Sequence, residues 1–251
     1  MKNSSVDKAC ALLVLILGAS SVWATGYQER DEINRSFTLS PTARVEVEGI
    51  SGSVDISAID GNTAIVQIER TGRSPADMDC NKVVLRQTAG NLLIKSETVG
   101  CQNIEVTHRV LVSVPRSVGV NIHGVSGPIT IEGIEGALRI SGNSGNINLA
   151  QSGRGSSISG NSGTTTIKLR QLDAGGLELS GHSGTIKLQV VDDLNVDVKV
   201  SGLSGTASSE LPNVRFRKTG AADYHARIGS GGPTITVQGC SGSVLLSQYR
   251  E

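Results

Sequence analysis

The strongest constraint on the fold is a four-residue motif, Gly-x-Ser-Gly, which recurs along the chain and is usually followed by apolar residues at alternate positions. Three of the copies are spaced 18 residues apart, and a half-copy, Gly133–Gly136, lies midway between two of them. The repeat unit is therefore nine residues long, with a turn of four residues and a strand of about five. The seven full copies occupy residues 49–52, 124–127, 142–145, 160–163, 181–184, 202–205 and 239–242.

The strand half of each unit has one apolar and one polar face. Ile147 and Leu149 alternate with Asn148, which is typical of a sheet with one dry side. The turns are too short for a crossover helix, so each strand should pair with the equivalent strand of the next coil. Aromatic residues are few, with 1 Trp, 3 Tyr and 2 Phe in 251 residues. The sequence therefore predicts an all-β protein whose residues 121–251 form a parallel β-helix, or β-solenoid, with a narrow aliphatic core.

Residues 36–120 show longer alternating runs, for example Ile65–Ile68 and Val110–Val114. We interpret this stretch as an N-terminal β cap that protects the first edge of the solenoid and belongs to the same continuous domain, 36–251. No helix is expected in either part.

A hairpin is expected inside the cap. Gly90-Asn91 suits a two-residue turn between two alternating runs, 83–86 and 92–95. A turn centred there pairs residues whose numbers sum to 181, which places Cys80 opposite Cys101. These two cysteines are therefore predicted to form a disulfide in an oxidising compartment.

The first 24 residues have the layout of a secretory signal. Lys2 and Lys8 accompany a short apolar run, 9–18, and Val22-Trp23-Ala24 places small residues at the −3 and −1 positions. We expect cleavage near Ala24, a linker over 25–35 and an exported protein in the periplasm or outside the cell. The mature chain should have no transmembrane segment. The alternative is that the segment is retained as an N-terminal anchor.

Motifs that carry chemistry are largely missing. Gly-x-Ser-Gly resembles the esterase elbow Gly-x-Ser-x-Gly, but no serine in the chain has glycine at both −2 and +2. The ligand Asp of calcium-binding nonapeptide repeats is replaced by an aliphatic strand residue. The four histidines are scattered without metal-ligand spacing. We therefore predict no catalytic residues, no metal site and no cofactor.

Some polar residues nevertheless form patterns. Asn143, Asn161 and His182 occupy the same position in three motif copies, so we expect a polar ladder along one corner in preference to a metal site. The basic run Arg215–Lys218 is interpreted as a solvated loop, with a contact site as the alternative. Cys240 is expected to be a small buried residue.

Charge and composition bound the function. With 23 basic and 23 acidic residues, the chain has no electrostatic reason to bind nucleic acid. A β-helical polysaccharide lyase or hydrolase is the main enzymatic alternative. Such an enzyme needs a cluster of charged residues on one wall and usually aromatic platforms for sugar rings. Few aromatic residues remain after the signal.

The residues that carry a resemblance are the opening Arg44–Ile56, the later Val112–Pro115 and the Gly-x-Ser-Gly strands that follow. Over residues 36–250 the chain resembles the bacterial "putative adhesin" β-strand repeat domains of unknown function. The resemblance implies a parallel β-helix-like fold in exported or envelope proteins, and it supplies no catalytic residues.

These patterns together lead to a functional hypothesis. We expect a non-enzymatic, adhesin-like binding or structural module at the bacterial cell envelope, whose partner is a surface glycan or an envelope protein. The predicted contact face consists of Thr130, Asn148, Thr166, Lys168 and Lys187. A self-assembling scaffold is a further alternative, because an uncapped final coil near Leu245-Leu246 would expose strand edges.

Overall fold

The structure is a computed structural model that describes residues 28–88, 90–150 and 155–249. The expected signal peptide and its cleavage site lie outside these residues. Strands make up 57% of the described residues and form two long sheets, called here sheet A and sheet B.

Each sheet is given in its spatial order. Sheet A contains ten strands: β1 (Glu29–Thr38), β4 (Thr63–Gly72), β7 (Val106–Pro115), β3 (Gly52–Ile59), β9 (Ile129–Glu132), β11 (Ile147–Ala150), β13 (Thr165–Leu169), β15 (Thr185–Val190), β21 (Ser243–Gln248) and β17 (Thr206–Ser209). Sheet B contains eleven: β18 (Arg217–Lys218), β19 (Tyr224–Ile228), β16 (Val196–Ser201), β20 (Thr234–Gln238), β14 (Leu177–Ser180), β12 (Ser156–Ser159), β10 (Leu138–Ser141), β8 (Gly119–His123), β2 (Arg44–Glu48), β6 (Asn91–Thr98) and β5 (Asn81–Thr88).

Successive strands in the middle of the chain alternate between the two sheets, so that one strand from each sheet makes a coil. Paired positions in one sheet are 18 residues apart there, as Ile129 is from Ile147 and Val120 from Leu138. The alternating aliphatic side chains point inward from both sheets, and all four of these are fully buried. Each such side chain contributes about 1.5–3 kcal/mol when it is buried, and together they form one continuous core.

The two glycines of the motif serve different physical needs. Gly142, the first of its copy, has a φ of 63°, a left-handed conformation that side chains with a Cβ disfavour. Gly145, the second, has no such φ, but a Cβ there would overlap the carbonyl oxygen of Gly127 in the neighbouring coil. One glycine therefore turns the chain, and the other lets the coils stack closely.

The order of coils along the stack differs from their order in the chain at both ends. The last strands, β20 and β21, insert between the coil of β14 and β15 and the coil of β16 and β17. Strand β21 pairs on both sides, and Leu246 is fully buried. The expected exposed edge near Leu245-Leu246 is therefore wrong; the edge strands at this end are β17 and β18.

The N-terminal part differs from expectation in two respects. Residues 29–35, expected to be part of a linker, belong to β1, which pairs antiparallel with β4 over ten residues. A short helix, α1 (Pro75–Cys80), also interrupts the strands where no helix was predicted. The side chain of Ser74 caps it by accepting from the Asp77 N–H, and Pro75 starts it. The sequence Ser-Pro-x-Asp at residues 74–77 is typical of a helix N-terminus and was the overlooked signal for this helix.

The predicted hairpin forms, with a different register. Thr88 pairs with Asn91, so partner numbers sum to 179 instead of 181 and the turn lies one residue earlier than expected. The Cys80–Cys101 disulfide is nevertheless present, with Cα atoms 5.9 Å apart. The cysteines lie beyond the paired residues, where Cys80 ends α1, and the bond ties the helix to the loop after β6.

Candidate functional site

The predicted contact residues lie together on the outer side of sheet A. Thr130, Asn148, Thr166 and Lys187 occupy directly paired positions on β9, β11, β13 and β15, and they form one row across four strands. Lys168 belongs to the adjacent row, beside Ala150. We call the outward residues of these four strands face A.

Face A is not featureless. The row of Glu132, Ala150 and Lys168 places an acid and a base on either side of a methyl group. These residues, with Asn148 between Thr130 and Thr166, line a shallow depression of about 260 Å³. Hydroxyl, amide and charged groups thus surround a small apolar floor, which suits a polar ligand such as a sugar.

The predicted polar ladder is internal. Asn143, Asn161 and His182 are each at least 97% buried. Backbone hydrogen bonds show that the three residues stack on one another. The N–H of the serine that follows Asn161 or His182 donates to the backbone carbonyl of the ladder residue in the preceding coil. Ser162 N donates to Asn143 O at 3.1 Å, and Ser183 N donates to Asn161 O at 3.0 Å. The ladder therefore belongs to the core and cannot contact a partner.

The side chains within the ladder are unequally satisfied. Asn143 Nδ2 donates to Asn161 Oδ1 at 3.0 Å, and Asn161 Nδ2 donates to Thr165 Oγ1 at 2.9 Å. In contrast, Asn143 Oδ1 and His182 Nε2 have no hydrogen-bond partner. Burial lowers the pKa of His182, although its contact with the Ser180 carbonyl opposes this.

Cys240 continues the same column after His182. Ser241 N donates to His182 O at 2.8 Å, which places the two motif copies side by side. The thiol is free and buried, as expected, and its burial raises its pKa. Two ionisable groups are thus kept neutral inside the core.

A second buried histidine, His108, lies beside the C-terminal end of α1. His108 Nδ1 lies 3.1 Å from Ser51 O, and its Nε2 lies 2.9 Å from Asn81 Oδ1. Burial lowers the pKa of His108. Nearby, Arg70 forms an ion pair with Asp31 and also donates to the Asn81 carbonyl. This network joins β1, β4, β5 and β7, so it stabilises the cap.

A wide groove that was not predicted lies on sheet B. It has a volume of about 720 Å³ and crosses the outer side of four strands, β10, β12, β14 and β20. One row of directly paired residues lines it, with Ser157 between Arg139 and Glu178. Its walls are mostly small or polar, and the alternation along these strands was the only sequence signal. We call the outward residues of sheet B face B.

Beside this groove, face B carries a charged cluster that the sequence analysis also missed. Asp197, with 13% of its side chain exposed, lies 2.9 Å from both Arg227 Nε and His225 Nε2. Gly232 N donates to its other oxygen at 3.2 Å. These donors, Arg227 foremost, lower the pKa of Asp197 to about 2. Asp197 and its partners come from strands that are far apart in the sequence, so no local motif predicts the cluster.

The described residues provide neither a cluster of metal ligands nor a membrane-spanning helix. In residues 28–88, 90–150 and 155–249, no group of three or more His, Cys, Asp or Glu side chains could hold a metal ion. The one helix in that part of the chain is too short to cross a membrane.

Comparison with known proteins identifies the family. No curated protein matches the chain. A solved structure of a "putative cell adhesion protein" from Clostridium sporogenes is 9% identical and has a TM-score of 0.44, over 87% of this chain and 100% of the other. A solved structure of a "putative adhesin" from Bacteroides fragilis is 14% identical and has a TM-score of 0.46, over 87% of this chain and 97% of the other.

The family model described as Toastrack DUF4097 matches residues 31–247, nearly the whole described chain. The resemblance expected from the sequence, to an adhesin-like domain of unknown function, is thereby confirmed. The chain belongs to the Toastrack DUF4097 family.

Proposed function

We propose that this protein is an exported, non-enzymatic, adhesin-like module that acts at the bacterial cell envelope and binds a surface glycan or an envelope protein through face A. In this proposal the signal is removed near Ala24, and the stacked coils are a solenoid of nine-residue units. The stack acts as a rigid support that holds polar side chains in fixed rows.

One observation carries the proposal. The register of sheet A aligns Thr130, Asn148, Thr166 and Lys187 in an unbroken row beside the depression at Ala150. Strand pairing fixes the spacing of these groups at about 4.8 Å, so little conformational entropy is lost when a ligand binds them. A repeating array of donors and acceptors matches a repeating polar ligand.

The charged cluster on face B is the observation that favours an enzyme. A polysaccharide hydrolase of the usual kind needs two carboxyl groups, one of which supplies a proton. Asp197 is held ionised by three donors, so it cannot be that acid near neutral pH. Within the described residues no hydroxyl or thiol forms a hydrogen bond with His225 that would make it a general base for a nucleophile. The cluster therefore supports ligand binding better than catalysis.

Binding of the purified protein to glycan and extracellular-matrix arrays tests the proposal. Asn148→Arg fills the depression on face A, and Ser144→Arg places the same side chain at an exposed corner as a control. A saturable signal that is lost in Asn148→Arg and kept in Ser144→Arg supports face A. A signal that both variants keep places the ligand elsewhere, and turnover of an arrayed polysaccharide would favour the enzyme.

A further inference from the structure

We propose that a second site, on face B at the C-terminal end of the stack, binds the acidic group of an anionic polysaccharide. The site is the row formed by Lys199, His225 and Arg217, called here the basic row. The acidic group is a sulfate ester or a carboxylate. This inference does not rest on face A, which belongs to the other sheet.

The geometry of the basic row follows from strand pairing. Lys199 of β16 pairs directly with His225 of β19, and His225 pairs with Arg217 of β18. Val198 and Val200, on either side of Lys199, are buried, so Lys199 points outward. Directly opposed residues on antiparallel strands hold their Cβ atoms about 4.5–5.5 Å apart. Three basic side chains therefore converge on one small area of the surface.

The charge of this row is not balanced within the described chain. Lys199 and Arg217 are both cations, and they repel each other across His225, which lies between them in the row. Among the described residues, no carboxylate forms an ion pair with Lys199 or Arg217. Asp197 is the nearest candidate, but its oxygens already accept from Arg227, His225 and Gly232. An anion from outside the protein would remove the repulsion and gain charge-assisted hydrogen bonds.

Asp197 prepares the row for such a ligand. It holds His225 through Nε2 at 2.9 Å, and this contact fixes the orientation of the imidazole between Lys199 and Arg217. Only 32% of the His225 side chain is exposed. A fixed ring between two flexible cations lowers the entropy that must be lost on binding.

The surroundings favour a polysaccharide over a membrane. The basic row continues across β20 through Thr236 to Glu178, so it opens directly onto the 720 Å³ groove. Thr234, Thr236 and Gln238 line that groove with hydroxyl and amide groups, which suit a hydroxyl-rich chain. The large apolar residues that the structure describes as exposed, Ile65 and Val99, both lie in the N-terminal part. Among the described residues, this region therefore has no exposed large apolar side chain that could insert into a bilayer.

A purely structural explanation makes a different prediction. Strand β18 is an edge of sheet B, and positive side chains on an edge discourage pairing with another copy. If that were the whole role of Arg217, neutralising it would cause self-association and leave polysaccharide binding unchanged.

The test compares the full-chain wild type with Lys199→Gln/Arg217→Gln and with the matched control Lys82→Gln/Arg86→Gln, which removes one exposed lysine and one exposed arginine from β5 at the other end of sheet B. Titration calorimetry at low ionic strength measures their affinity for heparin, which carries sulfate, for polygalacturonate, which carries carboxylate, and for neutral dextran. Sedimentation measures self-association, and circular dichroism checks the fold. Lys199→Arg/Arg217→Lys keeps the charge.

We expect the wild type, the control and the charge-keeping variant to bind at least one acidic polymer and not dextran. Lys199→Gln/Arg217→Gln should bind about tenfold more weakly or worse, and its melting temperature should not fall. Equal binding by this variant and the control would overturn the inference, as would self-association without a loss of affinity. Binding of vesicles containing phosphatidylglycerol without binding of either polymer would assign the row to a membrane instead. If the array test shows no binding through face A while the basic row binds an acidic polymer, only the proposed function of face A is overturned.

Discussion

The side-chain amide of Asn143 donates a 3.0 Å hydrogen bond to the amide oxygen of Asn161, its counterpart in the next coil. Both side chains are buried, and Asn161 also donates to Thr165 Oγ1. The same motif position holds Ile50 and Val125 in earlier copies, and both are buried too. The column therefore accepts aliphatic residues, and the two asparagines form a polar insertion within it.

Asn161→Val should lower the free energy of unfolding by about 1–3 kcal/mol, because it leaves one N–H of the Asn143 amide, the hydroxyl of Thr165 and the carbonyl of Gly163 without the partners that Asn161 supplies. Asn143→Val/Asn161→Val should lose less stability than the sum of the losses of Asn143→Val and Asn161→Val, since each single variant already breaks the bond between the two amides. Urea unfolding of the wild type, the two single variants and the double variant measures the difference. If the double variant loses the sum of the single effects, the bond between the two amides contributes nothing.

Acid should destabilise the protein through its buried histidines. Burial lowers the pKa of His182 and of His108 below the ordinary value of 6.5, so the unfolded chain takes up these protons first as the pH falls. The free energy of unfolding should keep its full value above pH about 6.5 and decrease below it, by at most about 1.4 kcal/mol per pH unit for each histidine.

His182→Asn tests this pH dependence, because asparagine occupies the same position in the two preceding copies. The variant should fold, and its stability should fall less steeply between pH 7 and 5 than that of the wild type. The exposed His123→Asn serves as the control and should keep the wild-type slope. Equal slopes in all three proteins would show that His182 is not kept neutral by burial.

Gly145→Ala should destabilise the protein by about 3 kcal/mol or more, because the new Cβ overlaps the backbone of Gly127 and the coils cannot separate without loss of strand pairing. Gly90→Ala is the matched control: a Cβ there meets nothing within 4 Å. Thermal unfolding followed by circular dichroism compares them. Similar melting temperatures for the two variants would mean that the corner is looser than the structure indicates.

Loss of the disulfide should destabilise the cap. Cys80→Ser/Cys101→Ser should lower the free energy of unfolding by about 3 kcal/mol, the value that loop closure predicts for a loop of this size. Reductant should lower the melting temperature of the wild type and of Cys240→Ala, and leave that of the double-serine variant unchanged. A reductant effect on the double-serine variant would assign the sensitivity to another group.

Local patterns in the sequence determined which residues lie inside. The alternation of Ile147, Asn148 and Leu149 predicted that the two aliphatic residues are buried and that Asn148 is exposed, because a side-chain period of two leaves no other assignment once one face is dry. The common spacing of the motif likewise predicted that Thr130, Asn148 and Thr166 share a row. The Cys80–Cys101 pair could be predicted although the hairpin register was wrong, because the two cysteines flank the base of the hairpin, and the segments that leave its two strands lie close together in either register.

The tertiary structure decided which strands are neighbours. Spacing places Leu246 at the end of the stack, but β21 inserts between β15 and β17, where pairing on both sides satisfies its backbone and buries its aliphatic side chains. The meeting of Asp197 with His225 and Arg227 depends on the antiparallel return of β19 beside β16. Long-range pairing of this kind is set by the burial of edges and core, which no local pattern encodes.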